Sequence, residues 1–172
     1  LIQMARASRK HIVLPEGSEP RIIRATAKIL ERDVCDLTLL GNVETITEAA
    51  GRIGVDISSA AITDPETVDD HIREDYANTF HELRKHKGVS MEMARDLMLD
   101  PVHYATMMVR EGHADGFVSG STHSTADTLG PVLRIIKTRE GRSLASSIFF
   151  MHMPAEVGVD GDCALVENPT AH

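Results

Sequence analysis

Short apolar runs alternate with amphipathic stretches of helical period along most of this chain, a pattern that predicts parallel strands joined by helical crossovers. His11-Ile-Val-Leu-Pro15 is an apolar run closed by Pro-Glu-Gly and reads as a strand; residues 19–31 follow as a helix carrying Ile22, Ile23, Ala25, Ala27, Ile29 and Leu30. Residues 36–40 form a second strand that ends on Gly41-Asn42, 43–53 a second helix, and 61–63 a third, short strand. From Val68 the apolar residues recur at Ile72, Tyr76, Phe80 and Leu83, which predicts a long helix with one buried face and Gly88 as its stop signal. Ser90 and Asp100-Pro101 read as further helix starts and Gly112 as a helix end. A fourth strand is expected over 116–119, a helix over 131–138 beginning at Pro131, and two more strands over 143–151 and 162–166. Asn168-Pro169 looks like the start of another helix, and Leu1 falls inside one, so both ends suggest a piece of a longer protein.

Composition narrows the function classes. With 172 residues, 42% of them apolar, the chain is long enough for a domain with a substantial core. No apolar run approaches a membrane span, and residues 1–8 read as a helix fragment instead of a signal peptide, so a cytoplasmic location is the expectation and no membrane is involved. A formal net charge of −8, 3% aromatics and no Trp argue against a nucleic-acid surface. An acidic protein still binds a phosphorylated metabolite where its few cations converge. Cys35 and Cys163 lie far apart without metal-ligand spacing, and buried reduced thiols are expected.

The chemistry concentrates between the fourth strand and the helix after it. In the stretch 119–131, Ser119, Ser121, Thr122, Ser124, Thr125 and Thr128 carry hydroxyls beside Gly120, His123 and Asp127. At the carboxyl end of a parallel strand such a segment offers hydroxyl and backbone donors to an anion, phosphate above all, although an ordinary polar surface loop has the same composition. Asp127 either caps the helix at Pro131 or orients His123, and the structural role is favoured. Arg84-Lys85-His86-Lys87 is the densest basic run; it either grips phosphate or complements the dipole of the long helix it closes. His81 and His86 stand five apart where a helical zinc pair needs four, and no other ligand spacing occurs, so no metal is expected. The first strand's turn, Pro15-Glu-Gly-Ser-Glu19, lacks the dinucleotide-binding glycines, and no nucleophile-elbow pattern is present. Met91, Met93, Met98, Met107 and Met108 lie on expected helices as adaptable core.

A series of segments then resembles the phosphotransacetylase family: His11-Ile-Val-Leu-Pro-Glu-Gly17, Leu39-Leu-Gly-Asn42, Glu82-Leu-Arg-Lys-His-Lys-Gly88, Ala114-Asp-Gly-Phe-Val-Ser-Gly120, His123-Ser-Thr-Ala-Asp-Thr-Leu129, Ile135-Ile-Lys-Thr138, Ser146-Ser-Ile-Phe-Phe-Met151 and Gly161-Asp-Cys-Ala164, in the family's order. The resemblance covers essentially the whole chain but only the amino-terminal half or so of the family's acyltransferase region. It implies an α/β fold, a three-layer αβα arrangement with a mostly parallel sheet of isocitrate dehydrogenase-like architecture. It further implies a first domain over 1–137, the start of a second over 138–172, and a homodimer. The implied reaction exchanges an acetyl group between coenzyme A and phosphate by thiolate attack on acetyl phosphate, with acetyl-CoA, CoA, acetyl phosphate and phosphate as partners. Coenzyme A is a substrate there, and no tightly bound cofactor or metal is implied.

Carried over residue by residue, Arg84 matches an arginine that the family uses for coenzyme A, with Lys87 in the same basic run. Ser119, Gly120, Ser121, Thr122, His123, Ser124 and Thr125 match the loop beside the acyl phosphate. The family's catalytic Ser-Arg pair and Asp base belong to a later segment, so no catalytic residue is expected in this chain and the chain alone is expected to be inactive. Where the family usually has Asp-Thr-Leu-Arg-Pro, this sequence has Asp127-Thr-Leu-Gly130-Pro131, and Arg134 stands four residues further on as a candidate replacement for the missing CoA-contacting arginine. A phosphate butyryltransferase fits the segments less well, and a non-catalytic acyl-CoA-sensing module, such as the one appended to some malic enzymes, typically lacks the Ser-Gly-x-x-His-Ser/Thr run.

Overall fold

A computed structural model of the chain describes residues 2–138, 147–152 and 157–162. Backbone contacts divide it into two units, Leu1–Ile136 and Lys137–His172. In the first, β1 (His11–Leu14), β2 (Asp36–Leu40), β3 (Ala61–Thr63) and β4 (Gly116–Phe117) form a parallel sheet in the order β3-β2-β1-β4. Helices α1 (Ile2–Ala7), α2 (Pro20–Arg32), α3 (Val43–Ile53), α4 (Asp70–Arg84), α5 (Met91–Leu97), α6 (Pro101–Arg110) and α7 (Thr125–Ile135) complete it, with a 3-10 turn at Lys85–Lys87.

Alternation along the strands separates two cores. Leu14, Leu37 and Leu39 face one side and pack with Ile23 and Ala27 of α2 and Ile46, Ala49 and Ala50 of α3. Val13 and Leu40 face the other, against Tyr76, Ala77 and Phe80 of α4, Met98, and Tyr104, Ala105, Met107 and Met108 of α6. This is the three-layer arrangement of an α/β protein, with helices covering both faces of a parallel sheet.

Helix starts follow the caps legible in the sequence. Asn42, Ser90 and Asp100 each accept from a backbone N–H in the first turn, a contact typically worth about 1 kcal/mol. The long helix ends at Arg84, and Gly88 closes the following 3-10 turn with a φ of 83°. Ile72, expected in the buried face, is 41% exposed, because it sits in the first turn of α4, four residues before the first buried position, Tyr76. Of the methionines, Met98, Met107 and Met108 are buried, Met91 packs on the core edge, and Met93 is 51% exposed. Cys35 is half-buried instead of buried, and desolvation pushes its thiol up, which disfavours the reactive thiolate.

In the second unit β5 (Ser147–His152) pairs antiparallel with β6 (Val157–Asp162), Ser147 opposite Asp162 and His152 opposite Val157. The strand expected over 143–151 thus begins later among the described residues. That expected over 162–166 is met only at Asp162, which ends β6; its other residues, Cys163 and the Asn168-Pro169 helix start lie outside the described residues.

The turn after β1 is where backbone meets backbone most closely. A Cβ placed on Gly17 would stand 2.5 Å from the Leu40 carbonyl oxygen, which already accepts the Gly17 N–H at 3.1 Å. Gly51, inside α3, has nothing within 4 Å of such a Cβ. Gly17→Ala is therefore expected to lower the unfolding midpoint in urea, while Gly51→Ala raises stability by about 1 kcal/mol through helix propensity alone. A Gly17→Ala protein as stable as wild type would show that the turn relaxes freely.

Candidate active-site cleft

The chain leaves β1, builds β2 and β3 to one side, then returns to pair β4 on the other side of β1. That reversal makes the carboxyl ends of β1 and β4 a topological switch point, the crevice where open α/β sheets bind ligands. Glu16 leaves β1 there and the 119–124 segment leaves β4.

The strand expected over 116–119 pairs only at Gly116 and Phe117. Val118 still donates its N–H to Val13, and Gly120 then turns the chain with a φ of 116°. The following helix begins six residues earlier than Pro131, at Thr125. A reciprocal capping box decides the boundary: Ser124 Oγ accepts the Asp127 N–H at 3.2 Å, and Asp127 Oδ2 accepts the Ser124 N–H at 3.1 Å. Pro131 is buried inside α7, where it leaves the Asp127 carbonyl without an i+4 donor.

Glu16 organises the segment, and it is not among the residues singled out from the sequence. Its carboxylate accepts N–H bonds from Ser121 (2.9 Å), Thr122 (2.6 Å) and His123 (2.8 Å), and a longer one from Gly120 (3.2 Å). Thr122 Oγ1 (3.1 Å) and His123 Nδ1 (2.9 Å) also reach it. The side chain is 2% exposed. Burial by itself pushes its carboxyl up, but the Thr122, His123 and Ser121 N–H groups and the His123 ring outweigh that and hold it down at about 2. An ionised carboxylate only accepts, so His123 Nδ1 carries the proton of that bond. On the other side of the loop Arg21 donates from Nη2 to the Ser121 carbonyl (2.8 Å) and from Nε to Glu19 (2.5 Å).

This arrangement decides which donors of the segment are open. The N–H groups of 120–123 are taken by an internal anion. The donors that remain open are the first-turn N–H groups of Thr125 and Ala126, which a helix start leaves without intrahelical partners, and the hydroxyls of Ser121 and Thr125, which bond to nothing among the described residues. Thr128 Oγ1 approaches Ser119 Oγ at 3.4 Å, and Ser124 is consumed in the capping box.

Beside this helix start lies a cleft of about 270 Å³ lined by Asp100, His103, His123, Ala126, Gly130 and Arg134 among others. That is room for a phosphoryl-sized group and too little for a whole nucleotide cofactor. Asp100 caps α6 and accepts from the His103 N–H (2.8 Å) and Nδ1 (2.7 Å). Burial pushes the Asp100 carboxyl up, yet the His103 bonds and the nearby His103 and His123 rings leave it below its usual value. Gly130 and Arg134, one turn apart on α7, line the same cleft, and a Cβ on Gly130 meets nothing within 4 Å. Arg134 makes no ion pair among the described residues. Arg84, half-buried, and Lys87, exposed, sit at the end of α4 and in the 3-10 turn; neither lines this cleft. A larger groove, about 840 Å³, is lined by Glu66, Asp70, Glu74 and Asp96, and its two arginines, Arg73 and Arg95, are paired with Asp70 and Glu74. It is the poorer place for an anion.

The whole chain, residues 1–172, matches the model of the Phosphate acetyl/butaryl transferase family. The chain belongs to that family. Among curated relatives, a phosphate acetyltransferase of Synechocystis sp. is 48% identical over 99% of this chain and 24% of its own length. One of Thermoanaerobacterium thermosaccharolyticum is 44% identical over 99% of this chain and 53% of its own. The chain thus spans between about a quarter and a half of the relatives it matches. The solved structure of the EutD phosphotransacetylase from Staphylococcus aureus superposes with a TM-score of 0.85 at 34% identity, covering 99% of this chain and 51% of that one. A phosphotransacetylase from Streptococcus pyogenes gives 0.86 at 33%.

Because folding depresses the Glu16 carboxyl from an ordinary 4.5 to about 2, its contribution to stability is complete above about pH 4.5 and is lost as pH falls toward 2. Glu16→Gln turns an amide NH₂ against backbone donors and is expected to cost about 1–3 kcal/mol at pH 7. Urea midpoints of the two proteins should differ most at neutral pH and converge between pH 4.5 and 2. A gap that stays constant across that window would show that the carboxylate charge is not what holds the loop.

Proposed function

We propose that the complete protein is a phosphate acetyltransferase, which moves an acetyl group reversibly between coenzyme A and inorganic phosphate. In the direction of acetyl-CoA, the thiolate sulfur forms a bond to the carbonyl carbon of acetyl phosphate, the carbon–oxygen bond to the phosphoryl group breaks, and phosphate leaves. The observation that carries this reading is the phosphoryl-sized cleft between α6 and α7, bordered by the start of α7 and by His123 of the loop that leaves the switch point, in a chain 44–48% identical to phosphate acetyltransferases.

In this reading Ser119, Gly120, Ser121, Thr122, His123, Ser124 and Thr125 form the wall beside the acyl phosphate. Its working donors are the Ser121 and Thr125 hydroxyls, the Thr125 and Ala126 N–H groups and the His123 ring, and the partial positive charge of the helix start favours the anion. Arg84, Lys87 and Arg134 bind coenzyme A, Arg134 from one turn beyond Gly130. Coenzyme A is a substrate, and no tightly held cofactor takes part. The groups that deprotonate the thiol and stabilise the oxyanion come from a segment outside these residues. Residues 138–172 begin a second domain, and the protein works as a homodimer in the cytoplasm.

Purified protein expressed from the complete gene should form acetyl-CoA from acetyl phosphate and coenzyme A, followed as thioester absorbance, and residues 1–172 alone should not. Turnover by residues 1–172 would place the catalytic groups among them; none by the complete protein would reject the assignment. In that protein Gly130→Arg, for which the helix has room, is expected to lower the KM for coenzyme A about tenfold, the effect of one added charged hydrogen bond. Arg84→Ala should raise that KM with little change in the melting temperature. Lost stability with an unchanged KM would assign Arg84 to the helix dipole instead.

A further inference from the structure

Two carboxylate–imidazole pairs border the α6–α7 cleft. In each, the ring's Nδ1 bonds an acid: Asp100 for His103 and Glu16 for His123. They differ in what the second ring nitrogen can reach. His103 Nε2 is buried without solvent-accessible surface and has no partner among the described residues, so it meets no ligand. The His123 side chain is 29% exposed and lines the cleft, and its Nε2 has no partner among the described residues.

We propose that Glu16 is a positioning residue for His123, holding the ring so that Nε2 is the atom that meets the phosphoryl group in the cleft. This rests on the acyl-phosphate reading above and names the atom that does the reading. One oxygen, Glu16 Oε1, takes both the His123 backbone N–H at 2.8 Å and the ring Nδ1 at 2.9 Å, so main chain and ring are pinned to a single buried point. A ring flip would exchange Nδ1 for a carbon and leave the carboxylate short of a donor. The bond made by one ring nitrogen decides the proton on the other. With Nδ1–H committed to Glu16, a neutral ring presents a bare Nε2 that accepts from the P–OH of a phosphate monoanion. A protonated ring presents Nε2–H, which donates to a P–O⁻ oxygen of phosphate or of an acyl phosphate. In both states the proton on Nδ1 stays in place, and the ligand is a phosphoryl group.

The test uses protein from the complete gene, with His123→Asn as the main variant. The Asn amide stands where Nδ1 stood and still donates to Glu16, while nothing replaces Nε2. The expected result is a melting temperature close to wild type, a KM for inorganic phosphate raised at least about tenfold, and a KM for coenzyme A unchanged. Ring ¹⁵N spectra of the wild type should show a protonated Nδ1 at alkaline pH, with added inorganic phosphate shifting Nε2 and leaving Nδ1 in place. Glu16→Ala should move ring protons onto Nε2, which decides the matter if His123→Asn fails to fold. A wild-type phosphate KM in His123→Asn, or an unprotonated Nδ1 in the wild type, overturns the positioning role and leaves the acyl-phosphate reading intact. A wild type whose cleft resonances ignore phosphate and which shows no phosphate-dependent activity removes that reading, and this proposal with it.

Discussion

A single buried carboxylate ties together the two strands at the switch point. An ionised Glu16 withdrawn from water is costly unless donors surround it, and here the donors are consecutive backbone N–H groups of one loop. The dependence runs both ways. The loop has no regular structure to satisfy those N–H groups, and among the described residues no arginine or lysine makes an ion pair with the carboxylate, although the Arg21 guanidinium is near enough to feel its charge. Their mutual satisfaction fixes where the chain leaves β4, hence where Ser124 falls, hence where α7 starts and which of its residues face the cleft. Gly17 belongs to the same constraint, since the turn that carries Glu16 inward passes too close to the Leu40 carbonyl for any side chain.

That constraint also decides how an anion can be held. A hydroxyl-rich loop at a helix start invites the assumption that all its N–H groups point at the ligand. Glu16 removes most of them from service and so separates two tasks that composition merges: residues 120–123 are shape, held by an internal anion, while the N–H groups of 125–126, two hydroxyls and the His123 ring are available to a ligand. Arg21, bonded to the Ser121 carbonyl, secures the loop from its acceptor side.

Most of the architecture was legible because each boundary had a local physical signature. Ser90 and Asp100-Pro101 mark starts that the structure reproduces, and 43–53 and 61–63 are found as read. Where the reading slipped, a longer-range or competing interaction won. Pro131 has the look of a first helical residue, but Ser124 and Asp127 satisfy two orphan N–H groups at once and start the helix six residues earlier, with Pro131 accommodated inside it. The pairing of β5 with β6 depends on cross-strand partners that no single run of residues announces. Glu16 lies within the family-like segment His11–Gly17, yet no local pattern there assigns it a role, because all its partners stand more than 100 residues away in sequence. The available signal was a charged residue placed directly at the end of an apolar strand, where burial demands partners.

The remaining question is how a chain of net charge −8 offers an anion any welcome. The answer lies in which carboxylates are already occupied. Around the cleft Glu16 is enclosed by N–H groups, Asp100 by His103, and Asp127 by the Ser124 N–H and hydroxyl, so each acid faces its own donors. Arg134 has no such partner among the described residues and lines the same cleft one turn beyond Gly130. In the acetyltransferase reading proposed above, Arg134 and the open end of α7 supply the attraction inside a small cleft, whereas distant surface acids are screened within about 10 Å at ordinary ionic strength. In that reading the local field, and not the chain's total charge, selects the ligand. Arg134 stands about one helical turn, ~6 Å, along α7 from Gly130, a separation that a long side chain partly spans.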